Sequence, residues 1–224
     1  MGEHLYDKNK IEFKDIGMKL LELFSGTGSV GKVARNYGIE VISLDRDMDA
    51  DIKTDIMDWN FKEYPPRYFD MIWASPPCTE YSIAKTIGVR KIDESNAIVI
   101  RVLEIIKYFD PIFFMIENPQ SGLLKNQYFM NDIPYDDVDY CKYGMPYRKR
   151  TRIWNNIYGW EPLPLCKKDC ESMDGNKHKE VAQRGPSGNR QNRHKQSELY
   201  VIPQLLLIDL FNYILFVFPS IHMS

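Results

Sequence analysis

Two residues in this chain stand where covalent chemistry needs them. Cys78 ends Ser75-Pro76-Pro77-Cys78, directly after the apolar run Phe69 to Ala74, and Glu117 opens Glu117-Asn118-Pro119 after the apolar run that starts at Ile112. A thiol and a carboxyl group at such positions have the chemistry of a nucleophile and a proton-handling acid. A lone cysteine fits an inert buried residue equally well, but the two prolines stiffen the approach to Cys78. Arg148, Lys149, Arg150 and Arg152 form a basic run that can stabilise a thiolate and bind phosphate, or simply make an exposed basic strand.

A second group of residues has ligand-binding chemistry. Gly26, Gly28 and Gly31 lie in LELFSGTGSVG, where an apolar run passes into a helix-compatible segment. Glycine permits positive φ and close approach of a ligand to the backbone. No Lys follows as in a phosphate-binding P-loop, so a nucleoside is the better guest. Asp45, at the end of EVISLD, can accept from two ribose hydroxyls, and Asp55 can accept from an adenine amino group. Either acid alone reads as a solvated loop residue; together with the turn they indicate an adenosyl ligand.

The elements that must hold these residues alternate. Strands are expected at KLLELF, EVISLD, a short element ending near Asp55, FDMIWA and IFFMIE, with helices from the glycine turn to about Tyr37 and from Glu94 to Phe109. Ile98, Val102, Ile105, Ile106 and Phe109 have helical spacing, and Pro111 ends that helix. IFFMIE has the pattern of a strand buried on both faces. This order predicts a doubly wound, mostly parallel α/β sheet, with Cys78 and Glu117 at its carboxyl edge. Asp136, Asp137 and Asp139 are expected in an acidic loop, Thr151 to Ile157 in a further strand, and Ile202 to Phe218 in a helix.

FSGTGSVG, SPPCTEYS, IENP and RKRTRIW follow one another in the order and rough spacing of the cytosine-5 DNA methyltransferases, which the chain resembles over about Lys19 to Ile157. The resemblance implies the Rossmann-like fold of S-adenosylmethionine-dependent methyltransferases. It implies methyl transfer from S-adenosylmethionine to carbon 5 of cytosine in DNA, through a Cys78 adduct at carbon 6 of a base flipped out of the duplex. By position, Phe24, Ser25, Gly26, Gly28, Asp45, Asp55 and Ser75 inherit cofactor binding. Cys78 inherits the nucleophile, Glu117 the acid that holds the pyrimidine ring, and Arg150 with Arg152 the arginine pair, while Ser82, Arg148 and Lys149 are expected on the nucleic acid. An RNA cytosine-5 methyltransferase or a non-catalytic nucleic-acid-binding relative are the alternatives. The chain departs from the common family pattern at Thr79, Pro119 and Arg148, where Gln, Val and Gln are usual.

The 224 residues, 44% hydrophobic and 27% charged, suit one ordinary globular domain with a small appendage. A net charge of −2 gives no global attraction to nucleic acid, so a polyanion must be met by a local patch. Lys177 to Lys195, with Arg184, Arg190 and Arg193, is the candidate for contacts to double-stranded DNA; a flexible solvated loop is its plain reading. The expected organisation is a catalytic domain over residues 1–160, a short target-recognition element over 161–200 and a C-terminal helix over 201–224 that packs back. The N-terminus lacks an apolar run, and Leu205 to Phe218 is too short for the roughly 20 residues of a bilayer span, so an intracellular protein away from membranes is expected; a monomer in catalysis is expected as well. The four cysteines are expected as reduced thiols. Cys166, Cys170 and His178, with or without Cys141, have zinc-ligand chemistry, but C-x3-C-x7-H is not a strong zinc pattern and no metal is assigned.

Overall fold

The computed structural model describes residues 17–83, 85–182 and 196–217. Its centre is a seven-stranded sheet in the order β3-β2-β1-β4-β5-β7-β6. The strands are β1 (Lys19–Leu23), β2 (Glu40–Asp45), β3 (Ile52–Lys53), β4 (Met71–Ala74), β5 (Phe113–Pro119), β6 (Tyr135–Asp139) and β7 (Arg150–Asn155). Strands β1 to β5 pair in parallel, and β7 runs antiparallel between β5 and β6. The expected doubly wound, mostly parallel sheet is therefore present. Two further two-residue strands, β8 (Met173–Asp174) and β9 (Lys177–His178), form a separate hairpin.

Alternation along the strands sends side chains into two cores. Leu20, Met71, Trp73, Phe113 and Met115 join α1 (Ser29–Asn36) and α4 (Gln204–Val217) on one face. Leu21, Leu23, Ile72, Ala74 and Ile116 join α2 (Ile92–Phe109) on the other. This is the helix-on-both-faces packing that parallel strands require. On α4, Leu206, Leu207, Leu210, Phe211 and Ile214 are buried against the α1 face. No described helix is long and apolar enough to cross a membrane. A four-residue helix, α3 (Gln196–Leu199), precedes α4.

The expectation of an acidic loop at Asp136, Asp137 and Asp139 is corrected: these residues form β6. In the antiparallel register Asp137 faces Arg152 and Asp139 faces Arg150. Each pair is a two-bond fork: Arg152 Nε and Nη2 donate to Asp137 at 2.7 and 2.9 Å, and Arg150 Nε and Nη2 donate to Asp139 at 3.0 and 2.7 Å. Opposite charges paired across strands stabilise a sheet, so charge here supplies the pairing that apolar residues supply in β5.

The turn after β1 is fixed by a buried acid. Glu22 shares the face of Leu20 and accepts from the backbone N–H groups of Val30 and Gly31 at 3.2 and 3.0 Å, the first turn of α1. A carboxylate satisfies N–H groups that a helix leaves open at its N-terminus. It also leaves no room: a Cβ on Gly31 would lie 2.6 Å from Glu22 Oε2 and 3.2 Å from Val41 Cγ1. Gly to Ala inside a helix ordinarily gains about 1 kcal/mol. Gly31→Ala is expected instead to lower stability, by about 1 to 3 kcal/mol from overpacking, and urea unfolding read by circular dichroism checks the sign.

Candidate active site

The strand order turns between β1 and β4, since the chain moves outward from β1 to β2 and β3 and then returns to the other side of β1. Open α/β sheets bind ligands at the carboxyl ends of the strands flanking such a turn. A cleft of about 490 Å³ lies there and extends to the end of β5. Its wall includes Phe24, Ser25 and Gly26 after β1, Asp45 at the end of β2, Asp55 beyond β3, Ser75 and Cys78 after β4, and Glu117 on β5. Apart from Gly28, which shapes the turn without lining the cleft, the residues expected to hold the cofactor all lie on it.

The turn itself is built on positive φ. Phe24, Gly26 and Gly28 have φ of 57°, 53° and 68°. Only glycine adopts that region freely, so Phe24 is a strained position held by its surroundings. Gly26 N–H donates to Asp45 Oδ2 at 2.9 Å, while Asp45 Oδ1 accepts from the N–H groups of Asp47 and Met48, both at 2.9 Å. Asp45 thus ties the glycine turn to the end of β2 and spends three of its roughly four acceptor positions doing so. Asp55 accepts from Met57 N–H at 2.9 Å and faces Arg46 at 3.5 Å. The Ser25 hydroxyl is buried and has no hydrogen-bond partner among the described residues. Burial pushes the Glu22 carboxyl, on the same wall, up to about 7 against the two N–H bonds that hold it down.

At the β4–β5 end, Cys78 and Glu117 face the same space. Burial raises the Cys78 thiol above its ordinary range, the Glu117 charge raises it further, and Lys149 pulls it back. Glu117 is held from two sides: Tyr140 OH donates to its Oε1 at 3.0 Å, and Lys149 Nζ lies 3.5 Å from the same oxygen. The next residue locks the frame, because Asn118 Nδ2 donates to the Pro76 carbonyl at 2.9 Å and so couples β5 to the prolines before Cys78. Lys149 also donates to the Leu199 carbonyl at 3.0 Å, which ties α3 to this wall.

Not every expected residue gathers here. Arg150 and Arg152 are absent from the cleft wall and are forked onto Asp139 and Asp137. Arg148 is half-exposed and 3.8 Å from Asp139. Successive residues of a strand point to opposite faces, so Lys149 meets Glu117 while its arginine neighbours meet β6. Ser82 lies beyond Cys78 in a segment whose carbonyls at Glu80, Ser82 and Lys85 accept from the Arg90 guanidinium, each at 2.8 Å. Arg184, Arg190 and Arg193 lie outside the described residues. Tyr140 was not anticipated, and nothing local in the sequence marks it; it directly follows β6 and reaches Glu117 on β5 across β7, which lies between the two strands.

Comparison with known proteins agrees with this arrangement. The family model for C-5 cytosine-specific DNA methylase matches residues 18–147. A curated protein of Frog virus 3 (isolate Goorha), described as "Probable DNA (cytosine-5)-methyltransferase", is 37% identical over 175 residues, covering 71% of this chain and 80% of its own. Among solved structures, the Entamoeba histolytica methyltransferase EhMeth superimposes with a TM-score of 0.51 at 16% identity, over 66% of this chain and 56% of that one. The S. pombe Dnmt2 methyltransferase gives 0.46 at 13% identity, over 66% and 52%. The chain spans little more than half the length of these two structures. With Phe24, Asp45, Cys78 and Glu117 spread along one cleft of a doubly wound sheet and the family model matching from β1 to Tyr147, this chain belongs to the C-5 cytosine-specific DNA methylase family.

Proposed function

We propose that this protein transfers a methyl group from S-adenosylmethionine to carbon 5 of cytosine in double-stranded DNA, working as a monomer inside a cell. The observation that carries the reading is the meeting of Cys78, Glu117 and Lys149 at one end of a cleft whose other end has the features of a nucleoside site. The cofactor end fits S-adenosylmethionine in its chemistry. It offers apolar walls from Phe24 and Ile56, a buried hydroxyl on Ser25 lacking a described partner, and acceptors on Asp45 and Asp55. When bound, S-adenosylmethionine supplies an electrophilic methyl group on a positive sulfonium.

The chain's own residues prepare the base. Cys78, as thiolate, adds to carbon 6 of cytosine, which breaks the aromatic ring and moves electron density to carbon 5. Glu117 holds a proton against ring nitrogen 3, where negative charge would otherwise collect, and Tyr140 and Lys149 keep that carboxyl group in place. Transfer of the proton on the methylated carbon 5 to water restores the carbon 5–carbon 6 double bond and breaks the carbon–sulfur bond, and Cys78 leaves as thiolate. A stacked base cannot reach this cleft, so the cytosine must be flipped. Ile83, Ile87 and Val89, exposed on the segment that leaves the cleft after Thr79, are suited to filling the gap left in the stack. Residues 161–200, with Arg184, Arg190 and Arg193, are assigned to DNA contact, and 201–217 to closing the catalytic domain.

Three outcomes are expected. DNA carrying 5-fluorocytosine, incubated with S-adenosylmethionine, should form a denaturation-resistant adduct that maps to Cys78 and vanishes in Cys78→Ser; an adduct with RNA alone would move the substrate to RNA, and one at another cysteine would overturn the mechanism. Asp45→Ala should weaken S-adenosylmethionine at least about tenfold by calorimetry, since a hydrogen bond to a charged acceptor contributes about 1.5 to 3 kcal/mol. It should also lower stability, because Gly26, Asp47 and Met48 lose their acceptor. Adduct formation should speed up as pH rises above neutral, because burial and Glu117 favour the neutral thiol. Removing the Lys149 charge in Lys149→Met should move that rise to higher pH, read from single-turnover rates, and an unmoved profile would deny Lys149 any part in forming the thiolate.

A further inference from the structure

Away from the cleft, β6 leads into a short 3-10 helix over Tyr140–Tyr143, and the chain returns to the same place twice after β7. The Sγ atoms of Cys141, Cys166 and Cys170 and a ring nitrogen of His178 all lie within 4.8 Å of one another. We propose that these four residues form a closed zinc site that fastens the polar lobe between Trp160 and Val181 to the catalytic sheet. Zinc in structural sites takes four Cys or His ligands in a tetrahedron, with Zn–S near about 2.3 Å and Zn–N near about 2.0 Å, which sets S and N about 3.5 Å apart. Cys166 Sγ and His178 Nε2 are 3.5 Å apart. Three thiolates and an imidazole select zinc over hard cations, and four protein ligands leave no position open for catalysis.

The surroundings are those of a metal site. Lys168 N–H donates to Cys166 Sγ at 3.3 Å, a bond that orients a thiolate ligand and that Lys168 reaches with a φ of 68°. Cys166 N–H donates at 2.9 Å to Asp139 Oδ2, the oxygen that also takes Arg150 Nη2. Cys141 and Cys166 are buried, whereas Cys170 and His178 reach the surface and give an ion its entry. A disulfide would account for two cysteines brought to bonding distance, not for three cysteines and a histidine converging on one point, and all four cysteines are free thiols.

The lobe also needs such a fastening. Between Trp160 and Ile202 the one buried apolar side chain among the described residues is Cys166. The only strands of the lobe among those residues, β8 and β9, have two residues each, and a lone hairpin is marginal in water. A small unit without a core is commonly held by a metal or disulfides. Zinc would join β9 and the Cys166–Cys170 turn to the end of β6, with the thiol protons released to solvent on binding.

The test uses the full chain, expressed with zinc and purified under reducing conditions, with metal measured by elemental analysis. One zinc per chain is expected, retained on dialysis and released when the thiols are blocked with a mercurial. Cys170→Ser and His178→Ala should each lose it. Because those variants can misfold, the wild-type apo chain is also titrated with cobalt, where intense ligand-field bands and thiolate charge-transfer absorption mark tetrahedral sulfur coordination. Wild-type chain free of zinc and without that cobalt spectrum would overturn the proposal. So would zinc that stays bound in both variants, or a Cys166–Cys170 disulfide in a non-reduced peptide map of protein purified separately without reductant.

Discussion

Glu22 sits among Leu20, Leu21 and Leu23 in β1, buried beneath the start of α1, and the rest of the cleft follows from how it is satisfied. A buried carboxyl group without partners would cost several kcal/mol. The first-turn N–H groups of Val30 and Gly31 remove that cost only if α1 begins directly over β1. This leaves five residues, Phe24 to Gly28, to turn the chain, and they do it with positive φ at Phe24, Gly26 and Gly28. The same compression brings Gly26 N–H onto Asp45, so that the buried Glu22 positions the turn and the half-buried Asp45 ties it to β2.

The other end of the cleft sets a conflict of charges. In the proposed mechanism Cys78 must ionise to attack, yet burial and Glu117 both favour the neutral thiol. Lys149 is near enough to oppose them, and it is held there by the Glu117 carboxylate, the Leu199 carbonyl and the face of the Tyr140 ring at 4.8 Å. Under that mechanism, the cost of a desolvated thiolate is relieved when the sulfur enters a covalent bond to the base.

Most of the sheet could be read from the chain because β1, β4 and β5 are apolar runs and α2 has an uninterrupted helical period. The glycine turn, Cys78, Glu117 and Asp45 could be placed for the same reason, since each follows or ends such a run, and Asp55 from the short element before it. What escaped reading was carried by pairing between distant segments. Tyr135 to Asp139 has the composition of a loop, and only the arginines of β7, more than ten residues on, make a strand of it. Which of Arg148, Lys149, Arg150 and Arg152 meets Glu117 depends on a one-residue register that the basic run does not encode. The convergence of Cys141 with Cys166, Cys170 and His178 likewise depends on where β6 ends, and no local spacing records it.

The position of β6 gives its acids another effect. It is the last strand of the sheet, and an edge strand offers unpaired backbone groups to any second chain. Three carboxylates in five residues, two of them already clasped by arginine, make self-templating by a like strand electrostatically unfavourable. At the opposite margin β3 is only two residues long, too short to guide another strand into register. The protein therefore resists sheet-to-sheet polymerisation at both margins by different means, and the composition that disguised β6 as a loop is what fits it to be the outermost strand.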